Sequence, residues 1–419
     1  MANTTFPTRN STSSYIELEE KYGAHNYHPL PVVLERGEGV FLWDVEGKRY
    51  YDFLSAYSAV NQGHCHPRII RALTDQAQKL TLTSRAFHSA PLGEFEKYIT
   101  ELFGYQKVLM MNTGVEAVET ALKLCRKWGY EKKGIPEGKA RVLFARENFH
   151  GRTTGIISAS TDPGSTTGFG PFLPGVETIE YDNVEALENA LISDPFIAGF
   201  IVEPIQGEAG VKVPREGYLS KVARLCKAAR VLFIADEIQT GIARTGKMLC
   251  VDHEELRPDI LILGKALSGG VLPVSAVLAD DEVMLTIRPG EHGSTYGGNP
   301  LACKVAQEAL QVVLDENLAE KAGILGELFR TKLNEYINES RIVRLVRGKG
   351  LLNAIEIHSD EESQLGWEIC VALMKNGLLA KPTHGNKIRF APPLVISEAQ
   401  LLECIGIITD TLKQFEPND

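Results

Sequence analysis

The chain has 419 residues, of which 44% are hydrophobic and 23% are charged. That balance is typical of a folded globular protein, and the length predicts about two or three domains. The formal net charge of −10 argues against long-range attraction to nucleic acid or to an anionic membrane. The longest apolar runs, such as 231–235, are far shorter than the roughly 20 residues of a transmembrane helix. We therefore expect neither nucleic acid nor a membrane among the partners.

The cysteines and the N-terminal residues bear on the compartment. The chain has seven cysteines; they are dispersed and form no Cys-x-x-Cys pair, which is typical of reduced thiols in a cytosol-like compartment. Residues 1–14 are rich in Ser and Thr, contain one Arg and lack the apolar core of a secretory signal. We expect a cytoplasmic protein, with the mitochondrial matrix as the alternative.

Taken in chain order, the predicted elements divide the chain into four parts. These are a flexible tail (1–14), a segment that packs with the smaller domain (15–61), a large domain (62–308) and a small C-terminal domain (309–419). Apolar runs in the large domain predict strands at 107–111, 141–145, 198–202, 231–235, 260–263 and 274–279. Helical spacing of apolar residues predicts helices at 115–128 and 218–229. Such alternation favours an α/β fold with a mainly parallel sheet flanked by helices.

The C-terminal part shows a different pattern. A long helix is predicted after Glu308, followed by short strands at 343–346 and 351–357 and a final helix from Ser397. Helices and strands are no longer in regular alternation there. This predicts a smaller α+β domain.

Two charged residues lie just past predicted strands of the large domain. Asp236 follows the run 231–235, and Lys265 comes two residues after the run 260–263. In an α/β sheet the carboxyl ends of the strands face the ligand crevice. A lysine for an aldehyde and an acid for a ring nitrogen are what pyridoxal phosphate requires. A solvated lysine and an aspartate in a cap or salt bridge are the alternatives for each residue alone.

A turn of small residues precedes the helix predicted at 115–128. Gly114 lets the backbone approach a ligand closely, and the start of a helix offers free N–H groups and a positive dipole end. Such turns are common, so this one is weak evidence by itself. Together with Asp236 and Lys265 it predicts a site for the cofactor phosphate.

Other motifs are less specific. His64 and His66 have the spacing of metal ligands, but such a pair in a turn is more often structural, and we expect no metal site. Gly348-Lys349-Gly350 lacks the spacing of a P-loop. A nicotinamide-dependent dehydrogenase is not favoured, because no Gly-x-Gly-x-x-Gly follows an early strand.

Several longer stretches resemble the class III aminotransferases, which are pyridoxal-phosphate enzymes of fold type I. The resemblance extends from about Tyr22 to Phe415, and it is carried by residues 22–29, 53–64, 203–210, 293–300 and 389–394. One departure is Ile242-Ala243, where the family usually has Leu-Gly. The resemblance implies a large domain with a mainly parallel sheet, a smaller α+β domain and pyridoxal 5′-phosphate as cofactor.

The resemblance also implies roles at the cofactor ring. Lys265 would bind the cofactor aldehyde as an imine and then carry protons between substrate and cofactor. Asp236 would pair with the ring nitrogen, and Gln239 would hydrogen-bond the ring hydroxyl. Phe149 and Ile238 would cover the two faces of the ring.

The cofactor phosphate would be bound by two parts of the sequence. Gly114 and Val115 would donate backbone N–H groups, whereas Ser294 and Thr295 would reach the phosphate from a second subunit. A homodimer would then be the smallest competent unit.

For the substrates, the resemblance is to the branch of the family that acts on ornithine. Arg152 would bind the distal carboxylate, and Arg389 the α-carboxylate of glutamate. Glu208 would mask Arg389 until glutamate arrives. Tyr27 and Tyr57 would orient the α-amino end of ornithine. Without the resemblance, surface ion pairs and core tyrosines would be the favoured interpretation.

The expected reaction transfers the δ-amino group of L-ornithine to 2-oxoglutarate, giving glutamate-5-semialdehyde and L-glutamate. Acetylornithine or 4-aminobutyrate aminotransferase activity is the alternative within the family. Tyr27 and Tyr57 favour ornithine, because a free α-ammonium needs polar neighbours. A non-catalytic binding protein on the same fold is an alternative of another class.

Overall fold

A computed structural model describes residues 11–417, which form three sheets with helices packed around them. The strands are Leu34–Glu38 (β1), Phe41–Asp44 (β2), Arg49–Asp52 (β3), Lys107–Met111 (β4), Arg141–Ala145 (β5), Val176–Ile179 (β6), Ile197–Val202 (β7), Leu232–Asp236 (β8), Ile260–Leu263 (β9), Ser275–Ala279 (β10), Val343–Lys349 (β11), Leu352–Ile357 (β12), Leu378–Leu379 (β13), Lys381–Thr383 (β14) and Lys387–Phe390 (β15). The right-handed α-helices are Thr12–Tyr22, Pro67–Ala77, Ala90–Phe103, Gly114–Trp128, Pro163–Thr166, Val184–Ser193, Tyr218–Ala228, Asp281–Met284, Pro300–Asp315, Leu318–Ile337, Leu365–Lys375 and Glu398–Lys413. Within 11–417, none of the helices has the length and apolarity required to cross a bilayer.

The central sheet has seven strands in the order β4-β10-β9-β8-β7-β5-β6. Neighbouring strands from β9 to β6 pair in parallel, whereas β10 is antiparallel to both β4 and β9. Every residue of β7, β8, β9 and β10 is buried. Burial on both faces explains why these strands are continuous apolar runs in the sequence. The predicted α/β fold with a mainly parallel sheet is confirmed.

The six strands predicted in the large domain are all present, with bounds shifted by at most one residue. Asp236 is itself the last residue of β8, not the residue after it. The edge strand β6 was not predicted, because Glu177 and Thr178 interrupt its short apolar pattern and leave it half exposed. The helix Gly114–Trp128 begins one residue before its predicted start.

Two smaller sheets lie outside the large domain. The sheet β1-β2-β3-β13 joins the N-terminal segment to the C-terminal part through the parallel pair β3 and β13. The antiparallel sheet β11-β12-β15-β14 belongs wholly to the C-terminal part. The helix Pro300–Asp315 runs through the domain boundary predicted at 308, and the helix Thr12–Tyr22 begins within the predicted tail. The rest of that tail, 1–10, lies outside the described residues.

A fully buried arginine connects the three parts of the chain. Arg244 follows β8 in the large domain, and its Nε and Nη2 donate to Asn61 Oδ1 over 3.1 and 2.5 Å. Its Nη1 donates to the carbonyl oxygens of Leu351, at 3.0 Å, and Pro392, at 2.7 Å. These acceptors are all neutral, so burial lowers the pKa of Arg244 to about 9.

Candidate active site

Asp236 and Lys265 lie side by side at the carboxyl edge of the central sheet. Strands β8 and β9 are parallel, and Asp236 is opposite Ile262, three residues before Lys265. Between them Gly264 is extended, and a Cβ there would come within 3.3 Å of the Ile238 side chain. Lys265 then turns with φ 44°, at the start of the single 3₁₀ turn Lys265–Ser268. The chain therefore delivers the amine and the carboxylate to the same place.

Both side chains line a cavity of about 180 Å³. The cavity is lined by every residue predicted to contact the cofactor from the same subunit, namely Gly114, Val115, Phe149, Asp236, Ile238, Gln239 and Lys265. Glu208, a predicted substrate residue, also lines it. These residues lie at or after the ends of five strands of the central sheet, β4, β5, β7, β8 and β9. The structure brings these residues together around one cavity, and their roles toward the cofactor remain predictions.

Asp236 is 4% exposed and is held from two sides. Its Oδ1 accepts the backbone N–H of Ile238 at 3.1 Å, and its Oδ2 lies 2.6 Å from Nδ1 of the buried His150. Burial lowers the pKa of His150, but the hydrogen bond and the charge of Asp236 outweigh burial and leave it above its ordinary value. Among residues 11–417, His150 Nε2 has no hydrogen-bond partner. The hydrogen bond with His150 therefore fixes the orientation of the Asp236 carboxylate.

The electrostatic environment of Lys265 favours a free amine. Burial lowers the pKa of Lys265, and the nearby carboxylates of Glu208, Asp236 and Glu203 oppose this effect only in part. A lysine with a lowered pKa has a larger fraction of unprotonated amine at neutral pH. That amine is a nucleophile for a carbonyl group.

The turn before the helix Gly114–Trp128 is built to leave backbone donors free. Thr113 caps the helix, and Glu116 Oε2 accepts the N–H groups of Asn112 at 3.0 Å and Thr113 at 2.7 Å. The next two N–H groups, of Gly114 and Val115, have no backbone or side-chain acceptor within the described part of the chain. They lie at the positive end of the helix dipole, so the turn can bind a phosphate dianion.

Glu208, Gln239 and Arg389 form a connected group beside the cavity. Arg389 is 4% exposed, and its Nη1 donates to Glu208 Oε1 at 2.6 Å. Gln239 Nε2 donates to the same oxygen at 3.1 Å. Burial acts to raise the pKa of Glu208, but the charge and hydrogen bond of Arg389 lower it below its ordinary value. Arg389 Nε and Gln239 Oε1 have no partner among the described residues, so the group has unused capacity for a polar ligand.

The other predicted site residues lie outside the cavity lining. Arg152 is exposed, pairs with Asp162 Oδ2 at 3.4 Å and has its guanidinium 5.2 Å from the centre of the Phe149 ring. Tyr27 is 75% exposed. Ser294 Oγ accepts a hydrogen bond of 2.8 Å from Asn112 Nδ2 of the same chain, and Thr295 is exposed. Their roles remain predictions.

The structure defines the contacts of Tyr57, His64 and His66. The Tyr57 ring centre lies 5.1 Å from Arg389 Cζ, which places this tyrosine next to the arginine that pairs with Glu208. His64 Nε2 is bonded to Asp52, and His66 Nε2 lies 2.9 Å from Glu316 Oε1. Each imidazole therefore has its own carboxylate partner.

Two titratable residues of the cavity lining, His150 and Glu203, were not predicted as site residues. Glu203 directly follows β7 and accepts the backbone N–H of Phe149 at 3.0 Å. Burial raises the pKa of Glu203 to about 7, with the charge of His150 acting in the opposite direction. The rule that identified Asp236, a charged residue at the carboxyl end of a buried strand, would have identified Glu203 as well. For His150 the only sequence signal is its position next to Phe149.

Glu237, next to Asp236, is a buried carboxyl group whose pKa shows the effect of burial in this region. It is 1% exposed and accepts hydrogen bonds from Thr240 Oγ1 and, at 2.8 Å, from the backbone N–H of Val251. Burial nevertheless raises its pKa to about 7. Because the folded state keeps a proton that the unfolded state has lost, the stability contributed by this group falls as pH rises from about 4.5 to about 7.

We expect Glu237→Gln to raise the melting temperature by a few degrees at pH 8 and to leave it nearly unchanged at pH 5. Thermal unfolding at the two pH values measures the difference. The same substitution at the exposed Glu188 is the control and should shift neither value. An equal effect of Glu237→Gln at both pH values would contradict the assigned pKa.

Comparison with known proteins agrees with this geometry. The family model for class III aminotransferases matches residues 22–412. The mitochondrial ornithine aminotransferase of Drosophila melanogaster is 65% identical over 94% of this chain and 90% of its own length. The crystal structure of the Toxoplasma gondii ornithine aminotransferase has a TM-score of 0.95 and 48% identity, covering 97% of this chain and 96% of that one.

A second solved structure has a different name. The acetylornithine aminotransferase from Elizabethkingia anophelis has a TM-score of 0.91 and 61% identity, covering 97% of this chain and 100% of that one. The match of the family model over nearly the whole chain and the high identity of these relatives give the same family. This chain belongs to the class III aminotransferases.

Proposed function

We propose that this enzyme is a pyridoxal-phosphate-dependent ornithine δ-aminotransferase. It moves the δ-amino group of L-ornithine to 2-oxoglutarate, giving L-glutamate and glutamate-5-semialdehyde, which cyclises to pyrroline-5-carboxylate. The observation that carries the proposal is the position of the Glu208–Arg389 pair, at 2.6 Å, beside the cavity that holds Lys265 and Asp236. The names of the Drosophila and Toxoplasma relatives support it.

The residues of the cavity fit pyridoxal phosphate. Gln239 Oε1 is buried and has no hydrogen-bond partner within residues 11–417, so it can accept a hydrogen bond from the ring hydroxyl. In the described part of the chain, the N–H groups of Gly114 and Val115 have no acceptor and can bind the phosphate. The close packing of Gly114, where a Cβ would come within 3.1 Å of Ile238, explains the need for glycine at this position. When bound, the cofactor supplies an electron sink that acidifies the substrate C–H bond.

Each protein group then has a defined task. Asp236 keeps the ring nitrogen protonated, because a carboxylate beside it favours the charged form. Lys265 Nζ would take a proton from the substrate carbon that bears the amine and pass it to the cofactor carbon that was the aldehyde. Phe149 and Ile238, which line the cavity, would restrict the position of the ring and keep water from its faces.

The choice between the two amino groups of ornithine depends on charge. Arg389 binds the α-carboxylate of glutamate, and free Arg389 would bind the α-carboxylate of ornithine in the same way. That binding would bring the α-amine, not the δ-amine, to Lys265. Glu208 prevents it by pairing with Arg389 until a second carboxylate competes for the guanidinium.

We expect Glu208→Ala to increase α-amine transfer relative to δ-amine transfer by about ten-fold, the effect of one charge-assisted hydrogen bond. The two products are distinguished by NMR after a single turnover with ornithine. Glu208→Gln, which keeps an acceptor but loses the charge, should give an intermediate ratio. An unchanged product ratio in Glu208→Ala would contradict the masking role.

We also propose a homodimer in which Ser294 and Thr295 of one subunit reach the phosphate site of the other. A second cavity of about 380 Å³ opens beside Gly114 and Lys265 and is lined by residues such as Val271 and Pro273. Its position next to the phosphate turn supports the entry of a segment from a partner. The cytoplasmic location remains a prediction, and the Drosophila relative has a mitochondrial name.

A visible spectrum of the purified enzyme tests the function. A coloured cofactor band should bleach fastest with L-ornithine, compared with N-acetylornithine and 4-aminobutyrate. Faster bleaching with N-acetylornithine would favour the second candidate, an acetylornithine aminotransferase, which the Elizabethkingia structure supports. The absence of a band after addition of pyridoxal phosphate would contradict the assignment of an active enzyme.

A further inference from the structure

Four consecutive non-glycine residues after β3 have left-handed backbone conformations. The φ angles of Ser55–Ser58 are 49°, 46°, 60° and 70°. A single left-handed residue other than glycine is unfavourable, and a run of four requires strong support from its surroundings. Tyr57, which packs against Arg389, is the third residue of this turn.

Support at the start of the turn comes from Asp52, the last residue of β3. Asp52 is 3% exposed, and its Oδ1 accepts the N–H groups of Leu54 and Ser55, both at 2.8 Å. Its Oδ2 lies 2.7 Å from His64 Nε2. One carboxylate thus fixes the direction in which the chain enters the turn.

His64 is itself held firmly. Its backbone N–H donates to the carbonyl oxygen of Gly39 at 2.8 Å. Gly37 packs against it so closely that a Cβ at position 37 would come within 2.9 Å of the His64 side chain. The imidazole is therefore closely packed against the backbone at Gly37.

The turn is also tied to the strand that carries Arg389. Ser55 Oγ donates to the carbonyl oxygen of Ala391 at 2.6 Å, and the Ala391 N–H donates to the carbonyl oxygen of Phe53 at 2.8 Å. Ala391 is two residues after Arg389. The position of Tyr57 relative to Arg389 consequently depends on how this turn is held.

We propose that Asp52 and His64 are positioning residues for ornithine, because they hold the left-handed turn that places Tyr57 at the substrate end of the site. Neither residue lines the cavity, so both act through Tyr57. The inference rests on the proposed function, in which Tyr57 orients the α-amino end of ornithine. It deepens that function by assigning the selectivity for this end to a hydrogen-bonded pair behind the turn.

The test compares ornithine with 5-aminopentanoate, which is ornithine without its α-amino group. In the holoenzyme, Asp52→Ala should raise KM for ornithine by about ten-fold and change KM for 5-aminopentanoate less than about two-fold. Asp52→Asn keeps an oxygen acceptor for Leu54 and Ser55, so both KM values should stay within about two-fold of the wild type. The cofactor band should be unchanged in both variants.

A glycine provides a second, independent readout. Ala56 is exposed, and glycine adopts its φ of 46° without steric cost. Ala56→Gly should have nearly wild-type activity alone and should recover most of the ornithine KM when combined with Asp52→Ala. His64→Ala should change the ornithine KM in the same direction by about three-fold, and it carries the test if Asp52→Ala does not fold.

Equal losses with both amines, or no recovery by Ala56→Gly, would show that Asp52 serves stability alone and would overturn the proposal. The proposed function is judged separately, by turnover of ornithine in the wild-type enzyme. A wild type that is active on ornithine, with variants that do not discriminate between the two amines, would leave the function intact and reject the positioning role.

Discussion

Replacing Lys265 by alanine is expected to lower kcat for ornithine by about 10⁴-fold or more. Positioned proton transfer alone contributes on the order of 10² to 10⁴, and the covalent attachment of the cofactor is lost as well. The cavity itself should persist, because Asp236 is held by Ile238 and His150 and not by Lys265. Single-turnover bleaching of the cofactor band measures the loss.

Two further variants make this result specific. Lys265→Arg keeps the positive charge but cannot give up its proton, so it should be as inactive as the alanine variant. Lys221→Ala removes an exposed lysine of the same domain and should leave kcat unchanged. More than about 1% residual activity in Lys265→Ala would contradict the assignment of Lys265 as the proton carrier.

Asp236→Asn should reduce kcat in both half-reactions by about 10² to 10³, the usual effect of removing one preorganised charge. The amide can still accept the Ile238 N–H, so the local geometry should be kept. What is lost is the charge that favours a protonated ring nitrogen. The visible band of the cofactor, followed together with kcat, should shift with the change in ring protonation.

The control for this variant is Asp75→Asn, which removes an exposed acid from the same domain. It should leave both the band and kcat unchanged. A loss below about five-fold in Asp236→Asn would mean that the ring nitrogen does not depend on this carboxylate. If kcat fell by the expected amount while the cofactor band stayed unchanged, Asp236 would not act through the protonation of the ring nitrogen.

The central sheet and the positions of Asp236 and Lys265 could be predicted from the sequence. Strands buried on both faces are continuous apolar runs, and the carboxyl ends of parallel strands meet at one edge. These two rules are local, so they need no knowledge of distant contacts. They also apply to Glu203, where the same signal was present and was not used.

Contacts between distant segments could not be predicted in this way. The hydrogen bond between Arg389 and Glu208 joins residues 181 positions apart, and no spacing rule predicts it. The resemblance to the family, not the pattern of residues, suggested that pair. The left-handed turn at Ser55–Ser58 is hidden for a different reason, because its residues have no preference for that conformation and only tertiary contacts impose it.

Arg244 limits how the enzyme can move. A rotation of the C-terminal part away from the large domain would break the hydrogen bonds from the Arg244 guanidinium to the carbonyl oxygens of Leu351 and Pro392. A buried charge without hydrogen-bond partners has a high free-energy cost. These two hydrogen bonds therefore oppose a hinge movement of the segment that carries Arg389. Under the proposed function, the change between the two half-reactions would then need only the Glu208 side chain to leave Arg389, to which it is hydrogen-bonded at 2.6 Å.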